Sequence, residues 1–256
     1  MIINYNKTLN CFLTSISKQY CVIDDDIRAY YTGVPEAYLN FLSIQKNPVA
    51  LKEVLNRGID FFIKLNQSFI IDIEETLCAA YTDSIFKELG FIQGESSVSM
   101  HLALKNFNVH STLPDNISIK CTNNHLIDWI MPGAGAFELS SEMAMAYLNV
   151  HKNALENNAL FHHYTLYFDH QAVSSLTLSV CDGLARIDDV GTLPDFQKRG
   201  LGSLLMKYAL TKAIEFNCTE CFLCASIVGT HLYEKFGFEV ISENRCYVYE
   251  INSDKD

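Results

Sequence analysis

Two adjacent carboxylates, Asp188 and Asp189, precede a glycine-rich run, Gln197-Lys198-Arg199-Gly200-Leu201-Gly202, and Tyr233 follows further along the chain. A glycine-rich run that opens a helix makes an anion site. The first-turn N–H groups converge, the helix dipole favours negative charge, and glycine lets the ligand approach the backbone. Lys198 and Arg199 add cations, so the matching ligand is a phosphate or pyrophosphate. The run is neither a P-loop, which needs G-x-x-x-x-G-K-[ST], nor the dinucleotide G-x-G-x-x-G pattern. No Walker lysine or metal-binding carboxylate motif accompanies it, which argues against nucleotide hydrolysis.

A strand must deliver this loop and a helix must carry it away. Ala185 to Thr192 reads as the strand, with Ile187 and Val190 as apolar positions and Gly191 as a bulge or point of close backbone approach. Leu193-Pro194 ends the ladder, because proline has no N–H to donate. Leu201, Leu204, Leu205 and Tyr208 then keep helical spacing through to Phe216. Upstream, Ile117 to Thr122 is a strand and 128–160 is largely helical. His163 to Asp169 and Ala172 to Cys181 pair as strands, and Asp182-Gly183 turns into the central strand. Downstream come a strand at Glu220–Ala225, a short helix at Thr230–Phe236, and strands at Phe238–Ile241 and Arg245–Ile251.

Residues 1–112 form a first block. The pattern predicts a helix over Leu9–Tyr20 and strands near Cys21-Val22-Ile23 and Tyr30–Pro35. A further helix starts at Asn47-Pro48, Phe61–Leu65 reads as a strand, and a helical stretch from Glu74 to Leu89 is capped by Gly90. Ser97 to Leu104 alternates as a last strand. The polar segment Asn106–Asn116 reads as a linker, and the second block runs over 117–256.

Composition narrows the class. The chain has 256 residues, of which 49% are hydrophobic and 19% charged, enough apolar material for real cores. A net charge of −11 without a basic run argues against sequence-independent binding to nucleic acid, which depends on phosphate neutralisation, and is compatible with a cationic substrate such as an amine. No run of 18 apolar residues crosses a membrane, and no signal peptide is recognisable. Nine scattered cysteines do not make a disulfide framework, so a reducing cytoplasm is expected. Cys218, Cys221 and Cys224 fall on or beside an apolar strand that puts the last two on opposite faces, which suits buried thiols and no metal.

The form Q-x-x-G-x-G after strand-x-Pro, with Asp189-Val190-Gly191-Thr192-Leu193-Pro194-Asp195 before it, resembles the acetyl-CoA loop of the GCN5-related N-acetyltransferases (GNAT). Leu232-Tyr233-Glu234-Lys235-Phe236-Gly237-Phe238 resembles that family's closing x-Y-x-x-x-G-F element. The element order over 117–251 is also the family's order. The resemblance implies an α/β (α+β) GNAT acyl-CoA N-acyltransferase fold, a mixed central sheet flanked by helices. A smaller α/β domain carrying Tyr30-x-Thr32-Gly33-Val34-Pro35 would precede it, itself a degenerate GNAT relative without a CoA loop or an unrelated α/β domain.

The resemblance also implies a mechanism. Lys198, Arg199, Gly200, Leu201, Gly202 and Ser203, with Gln197, would hold the pyrophosphate of acetyl-CoA, and the pantetheine would run beside Val190, Gly191 and Thr192. A backbone N–H there would polarise the thioester carbonyl. A primary amine, on a small molecule, an amino acid or a peptide, would attack directly. Tyr233 would be the acid for the leaving thiolate, and Asp188 or Asp189 the base for the incoming ammonium. Two alternatives remain open: an acyl-CoA-binding module acting through a protein partner, and a transferase of longer acyl groups. Relatives carry Gly where this chain has Lys198, a departure that a negative φ would accommodate. Acceptor-binding residues are expected within 128–150.

Overall fold

The computed structural model describes residues 1–46, 50–78, 82–107 and 113–251. The first half comprises α1 (Ile2–Ile16), β1 (Gln19–Asp24), β2 (Ile27–Tyr31), β3 (Phe41–Ile44), α2 (Leu51–Lys64), β4 (Phe69–Glu74), α3 (Thr82–Glu88), β5 (Ile92–Gln93) and β6 (Ser97–Ala103). The second half comprises β7 (Ile117–Cys121), α4 (Leu126–Ala136), α5 (Ser141–Glu156), β8 (Phe161–Phe168), β9 (Gln171–Cys181), β10 (Leu184–Thr192), α6 (Leu201–Glu215), β11 (Glu220–Ser226), α7 (Thr230–Glu234) and β12 (Glu239–Tyr249).

Leu176 and Leu178 of β9, Ala185 and Ile187 of β10, and Cys221 and Leu223 of β11 share a core with Leu205, Ala209 and Ala213 of α6. Because side chains alternate along a strand, the intervening residues face the opposite side, where α4, α5 and α1 lie. The sheet is continuous through both halves in the order β1-β2-β3-β4-β12-β6-β11-β10-β9-β8-β7, with β5 pairing β12.

The two halves repeat one order, strand–helix–parallel strand–short helix–antiparallel strand. It runs β3–α2–β4–α3–β6 in the first and β10–α6–β11–α7–β12 in the second, with β3–β4 and β10–β11 as the parallel pairs. The last strands are exchanged between halves. β6 lies between β11 and β12, pairing Ser97–Ala103 with Ser226–Glu220, and β12 pairs Asn244–Tyr249 with Glu74–Phe69. The Tyr30–Pro35 turn locks the halves further. Gly33 turns at φ +90°, Asn40 accepts from Thr32 N–H, and fully buried Val34 packs among Leu126, Trp129 and Ile130 of α4.

Several sequence expectations differ from this arrangement. The first helix begins at Ile2 and ends at Ile16, because Tyr5, Phe12, Leu13 and Ile16 bury one face across the sheet. Phe61–Leu65 is the end of α2 and not a strand; Leu55, Ile59 and Phe62 keep helical spacing into the core of the first half. Of Glu74–Leu89, the start closes β4 and, among the described residues, the α-helix is Thr82–Glu88, followed by Gly90 with φ +90°. The two final strands are one. Buried Ser242 and Asn244 read as a break, but Asn244 Nδ2 donates to Ser97 and Ser99 hydroxyls at 3.1 and 3.0 Å, and the strand continues through a bulge. The helix start at Asn47-Pro48 and much of the linker lie outside the described residues.

The exchange predicts that neither half folds alone. A fragment of residues 113–256 lacks β6 and exposes the edges of β11 and β12, so it should aggregate, whereas co-expression with 1–112 should restore a soluble complex. A cooperative melt by circular dichroism from 113–256 alone would contradict this.

Candidate active site

The central strand breaks its own ladder. β10 pairs with β9 as far as Asp188↔Thr177 and resumes at Gly191↔Ser175, so Asp189 and Val190 form a bulge, with Asp189 at φ +56°. Glycine permits this geometry by close approach. A Cβ on Gly191 would lie 2.8 Å from Gly133 Cα and 3.2 Å from Ala136 Cβ, and one on Gly135 would lie 2.6 Å from Leu193 Cδ2. The backbone of α4 therefore rests directly on the bulge. On the other edge, parallel pairing with β11 covers Leu184–Arg186 against Glu220–Phe222 and then stops. Beyond Arg186 the two strands splay, and the backbone of Asp189 and Val190 has no ladder partner on either side.

The loop at the end of this strand is built for an anion. A single turn at Pro194–Phe196 follows Leu193, and the Gln197 side-chain amide donates to Thr192 O at 3.1 Å, closing the loop onto the strand. Gly200 stands at the N-cap of α6 with φ +78°, a position with nothing within 4 Å of where a Cβ would be. No side chain caps the helix, so the first-turn N–H groups have neither an intrahelical acceptor nor a side-chain one. Lys198 sits at φ +59°, against the negative φ that its side chain would favour. The loop holds a lysine in the left-handed region, where glycine is easier. Arg199 lies over the Phe196 ring at 4.9 Å. Gly202 is held to van der Waals distance, 3.4 Å, from Thr192 Oγ1 for an added Cβ, which brings the Val190–Thr192 and Lys198–Ser203 segments together. These residues fit the diphosphate end of an acyl-CoA substrate.

The two aspartates occupy different environments. Asp189 accepts from the Tyr147 hydroxyl at 2.8 Å and from Thr177 Oγ1 at 2.7 Å, so both its oxygens are engaged. Behind it His151 Nδ1 and His163 Nε2 are 2.8 Å apart, and His163 Nδ1 is 2.9 Å from Asn123 Oδ1. The Asn123 amide N donates to Phe161 O, which fixes its Oδ1 as acceptor. His163 therefore donates through Nδ1 and accepts at Nε2 from His151 Nδ1–H, leaving His151 Nε2 as a bare lone pair 3.8 Å from Asp189. Burial keeps both rings neutral, holding His151 down at about 3 and His163 well below the usual imidazole range. Burial likewise raises the Asp189 carboxyl.

Asp188 pairs through Oδ1 with Arg186 Nε and Nη2, both at 3.0 Å, while its Oδ2 is buried without a partner. Burial raises its carboxyl to about 6, against the opposing pull of Arg186. Tyr233, half-buried on α7, packs edge-on to Phe238. Its phenol is pushed up to about 12 by burial and then by the negative charges at Asp188 and Cys224.

Sequence reasoning missed Arg186, Tyr147, Thr177 and His151. Arg186 was within reach, since it sits two positions before Asp188 and so on the same strand face. The other three come from β9 and α5, and no local spacing links them to Asp189. Cys218 and Cys221 are buried, and among the described residues no group of three or more His, Cys, Asp or Glu side chains is placed to hold a metal.

Residues 124–238 match the model of the Acetyltransferase (GNAT) family. The match covers a little under half of the chain and spans the elements from α4 to α7. The whole chain is similar in fold to a GCN5-related N-acetyltransferase from Kribbella flavida, with a TM-score of 0.72 and 14% identity over 96% of this chain and 94% of that one. It also resembles a GCN5-related N-acetyltransferase from Sphaerobacter thermophilus, with a TM-score of 0.65 and 14% identity over 90% and 78%. A tandem GNAT protein of the clavulanic acid biosynthesis pathway gives 0.63 and 10% identity over 90% and 79%. A search of curated proteins finds no match.

The contact between bulge and helix makes a direct test. Gly191→Ala drives a Cβ into the Gly133 backbone and should cost about 1–3 kcal/mol, the range for overpacking, read from urea denaturation. An unchanged midpoint would mean that α4 does not bear on the bulge.

Proposed function

We propose that the protein transfers an acetyl group from acetyl-CoA to a primary amine, on a small molecule, an amino acid or a peptide, by direct attack in a ternary complex. The observation that carries this reading is the splay of β10 from β11 directly beside the glycine-capped N-terminus of α6. A thioester laid in the splay has its diphosphate on the free N–H groups of Lys198–Ser203 and its pantetheine along Val190-Gly191-Thr192. The unpaired Val190 backbone N–H then points to the developing oxyanion. No enzyme nucleophile is required, so rate enhancement comes from positioning and electrostatics.

The proton roles divide by environment. Asp188, with its unpartnered Oδ2, is the base. Asp189, satisfied by Tyr147 and Thr177, is the residue that positions the bulge. Burial keeps the Tyr233 phenol protonated at neutral pH, ready for the departing thiolate. The first half, which has no Q-x-x-G-x-G loop, acts as a second GNAT-like unit without a donor site. All nine cysteines are free, which suits a reducing cytoplasm, and among the described residues no helix is long and apolar enough to cross a membrane.

Gly200→Glu places a carboxylate at the anion site, and calorimetric affinity for acetyl-CoA should disappear while the thermal melt remains cooperative; retained affinity refutes the loop assignment. Tyr233→Phe should lower kcat about a hundredfold, within the usual range for a lost general acid, with acetyl-CoA affinity retained. Because the base works deprotonated, wild-type kcat at saturating acceptor should fall as pH drops through about 6. Asp188→Asn should lack that limb. Persistence of the limb in the variant would assign the base elsewhere.

A further inference from the structure

A cavity of about 270 Å³ opens on the face of the sheet away from α6, where the two halves meet. Leu9, Phe12 and Leu13 of α1 roof it, and Phe41, Leu42 and Ile70 of β3 and β4 wall it with apolar surface. Tyr38 and Glu95 stand exposed at its mouth. Its floor is polar and comes from both halves: Asp72 of β4, Arg186 and Asp188 of β10, and Cys224 of β11.

The position of the floor ties the cavity to the chemistry. Arg186 pairs with Phe222 as the last matched residues of β10 and β11, so Asp188 and Cys224 are the next inward-facing residues on the two diverging strands. The cavity thus reaches the splay from the side opposite the donor loop. Two hydrogen-bonding positions on its floor are unfilled, Asp188 Oδ2 and Arg186 Nη1, although both atoms are buried and Arg186 is only 2% exposed. Buried polar atoms without partners are rare and costly, and on the floor of an open cavity they are ready for a ligand.

Charge selects that ligand. Arg186 and Asp188 neutralise each other, and the Arg186 guanidinium also lies 5.1 Å over the Tyr5 ring of α1. Asp72 accepts from Ser97 Oγ at 3.1 and 3.2 Å without a cation in the ion pairs of the described residues, and Glu95 adds a second carboxylate at the mouth. The recess is therefore apolar in its walls and anionic in balance, which favours a cation and repels a carboxylate.

Resting on the acetyl-transfer reading above, we propose that this cavity is the acceptor site and that the acceptor is a primary amine on an uncharged apolar chain or ring. Its nitrogen is held at Asp188 Oδ2, and its body lies between α1 and the β3–β4 strands of the first half. Asp188 takes one proton from the ammonium, and the freed lone pair forms the C–N bond as the C–S bond breaks. The thiolate takes the Tyr233 proton, the remaining ammonium proton re-protonates Tyr233, and Asp188 returns its proton to solvent. The sum is the ammonium form of the amine plus acetyl-CoA giving amide, CoA thiol and one proton. Burial holds both Asp188 and Asp72 at about 6, so both are ionised in an assay at pH 8. The expected lining from 128–150 does not contribute to this cavity; Tyr147 from that stretch holds Asp189 instead.

The test compares phenethylamine, hexylamine, phenylalanine and spermidine as acceptors for the full chain, by thiol release at pH 8. Acetyl-CoA affinity is measured separately by calorimetry. We expect kcat/KM for the two apolar amines to exceed that for phenylalanine and spermidine at least tenfold. Asp72→Asn should raise KM for phenethylamine at least fivefold, and Leu9→Trp, which fills the cavity, should suppress transfer. Both variants should keep wild-type affinity for acetyl-CoA. Preference for phenylalanine or spermidine overturns the proposed acceptor class, and wild-type KM in both variants overturns the cavity. If acetyl-CoA does not bind at all, the donor reading fails on its own. Calorimetry with phenethylamine then decides the cavity: binding that Leu9→Trp abolishes sustains it, and absence of binding to the wild type refutes it.

Discussion

The loss of pairing between β10 and β11 after Arg186 is the constraint from which the rest of the structure follows. Parallel strands that separate leave backbone polar groups unmatched, and such groups are tolerated only where something else meets them. The bulge at Asp189-Val190 leaves these groups outside both ladders, and α4 packs against the strand at Gly191. Glycine at 191 is the covalent condition for that approach, since a Cβ there would meet the Gly133 backbone. The anion loop, the tyrosine on α7 and the two aspartates are then arranged around one opening.

The opening is framed by charges that could not stand alone. Arg186 and Asp188 are a buried pair, and removing one partner of such a pair typically costs about 3–5 kcal/mol because the other is left uncompensated. The pair is completed from a distance: the ring of Tyr5 on α1 faces the guanidinium, and α1 reaches this position only by crossing from the start of the chain to lie beside α5. Behind Asp189 a different solution operates, with neutral histidines and an asparagine whose hydrogen bonds fix each other's tautomers. One aspartate is thereby left with a free oxygen and its neighbour with none, although they are adjacent in sequence.

How much of this could be read from sequence depended on the range of the interaction. The strand–Pro–loop–helix unit was legible because its determinants are local: proline ends the ladder, Gly200 adopts a positive φ, and leucines repeat at helical spacing. The second half's element order followed for the same reason. The chain's first helix was misplaced because Asn4, Asn6, Lys7 and Asn10 dilute its apolar face, and the Phe61-Phe62-Ile63 cluster imitates a strand at the end of α2. Asp72 was unreadable as part of a polar floor, since it interrupts an otherwise apolar strand whose partner lies at the other end of the chain. The exchange of β6 and β12 leaves no local trace at all. Its hydrogen bonds are between backbones, and the buried Ser242 and Asn244 that match Ser97 and Ser99 look like loop residues in isolation.

The exchanged strands also set an order of assembly during synthesis. Ser68, just before β4, accepts from the backbone of Ile251, 183 positions later, and β4 has no other neighbour on that side until β12 emerges. The first half must therefore wait on the ribosome with an apolar edge, Phe69-Ile70-Ile71, unpaired. Its folding is limited by arrival of the last strand, not by its own hairpins, as expected where the decisive contacts are the most distant in sequence. During that interval Asp72, a charge in the middle of the apolar run, opposes capture of the strand by another nascent chain, with Glu74 at its end.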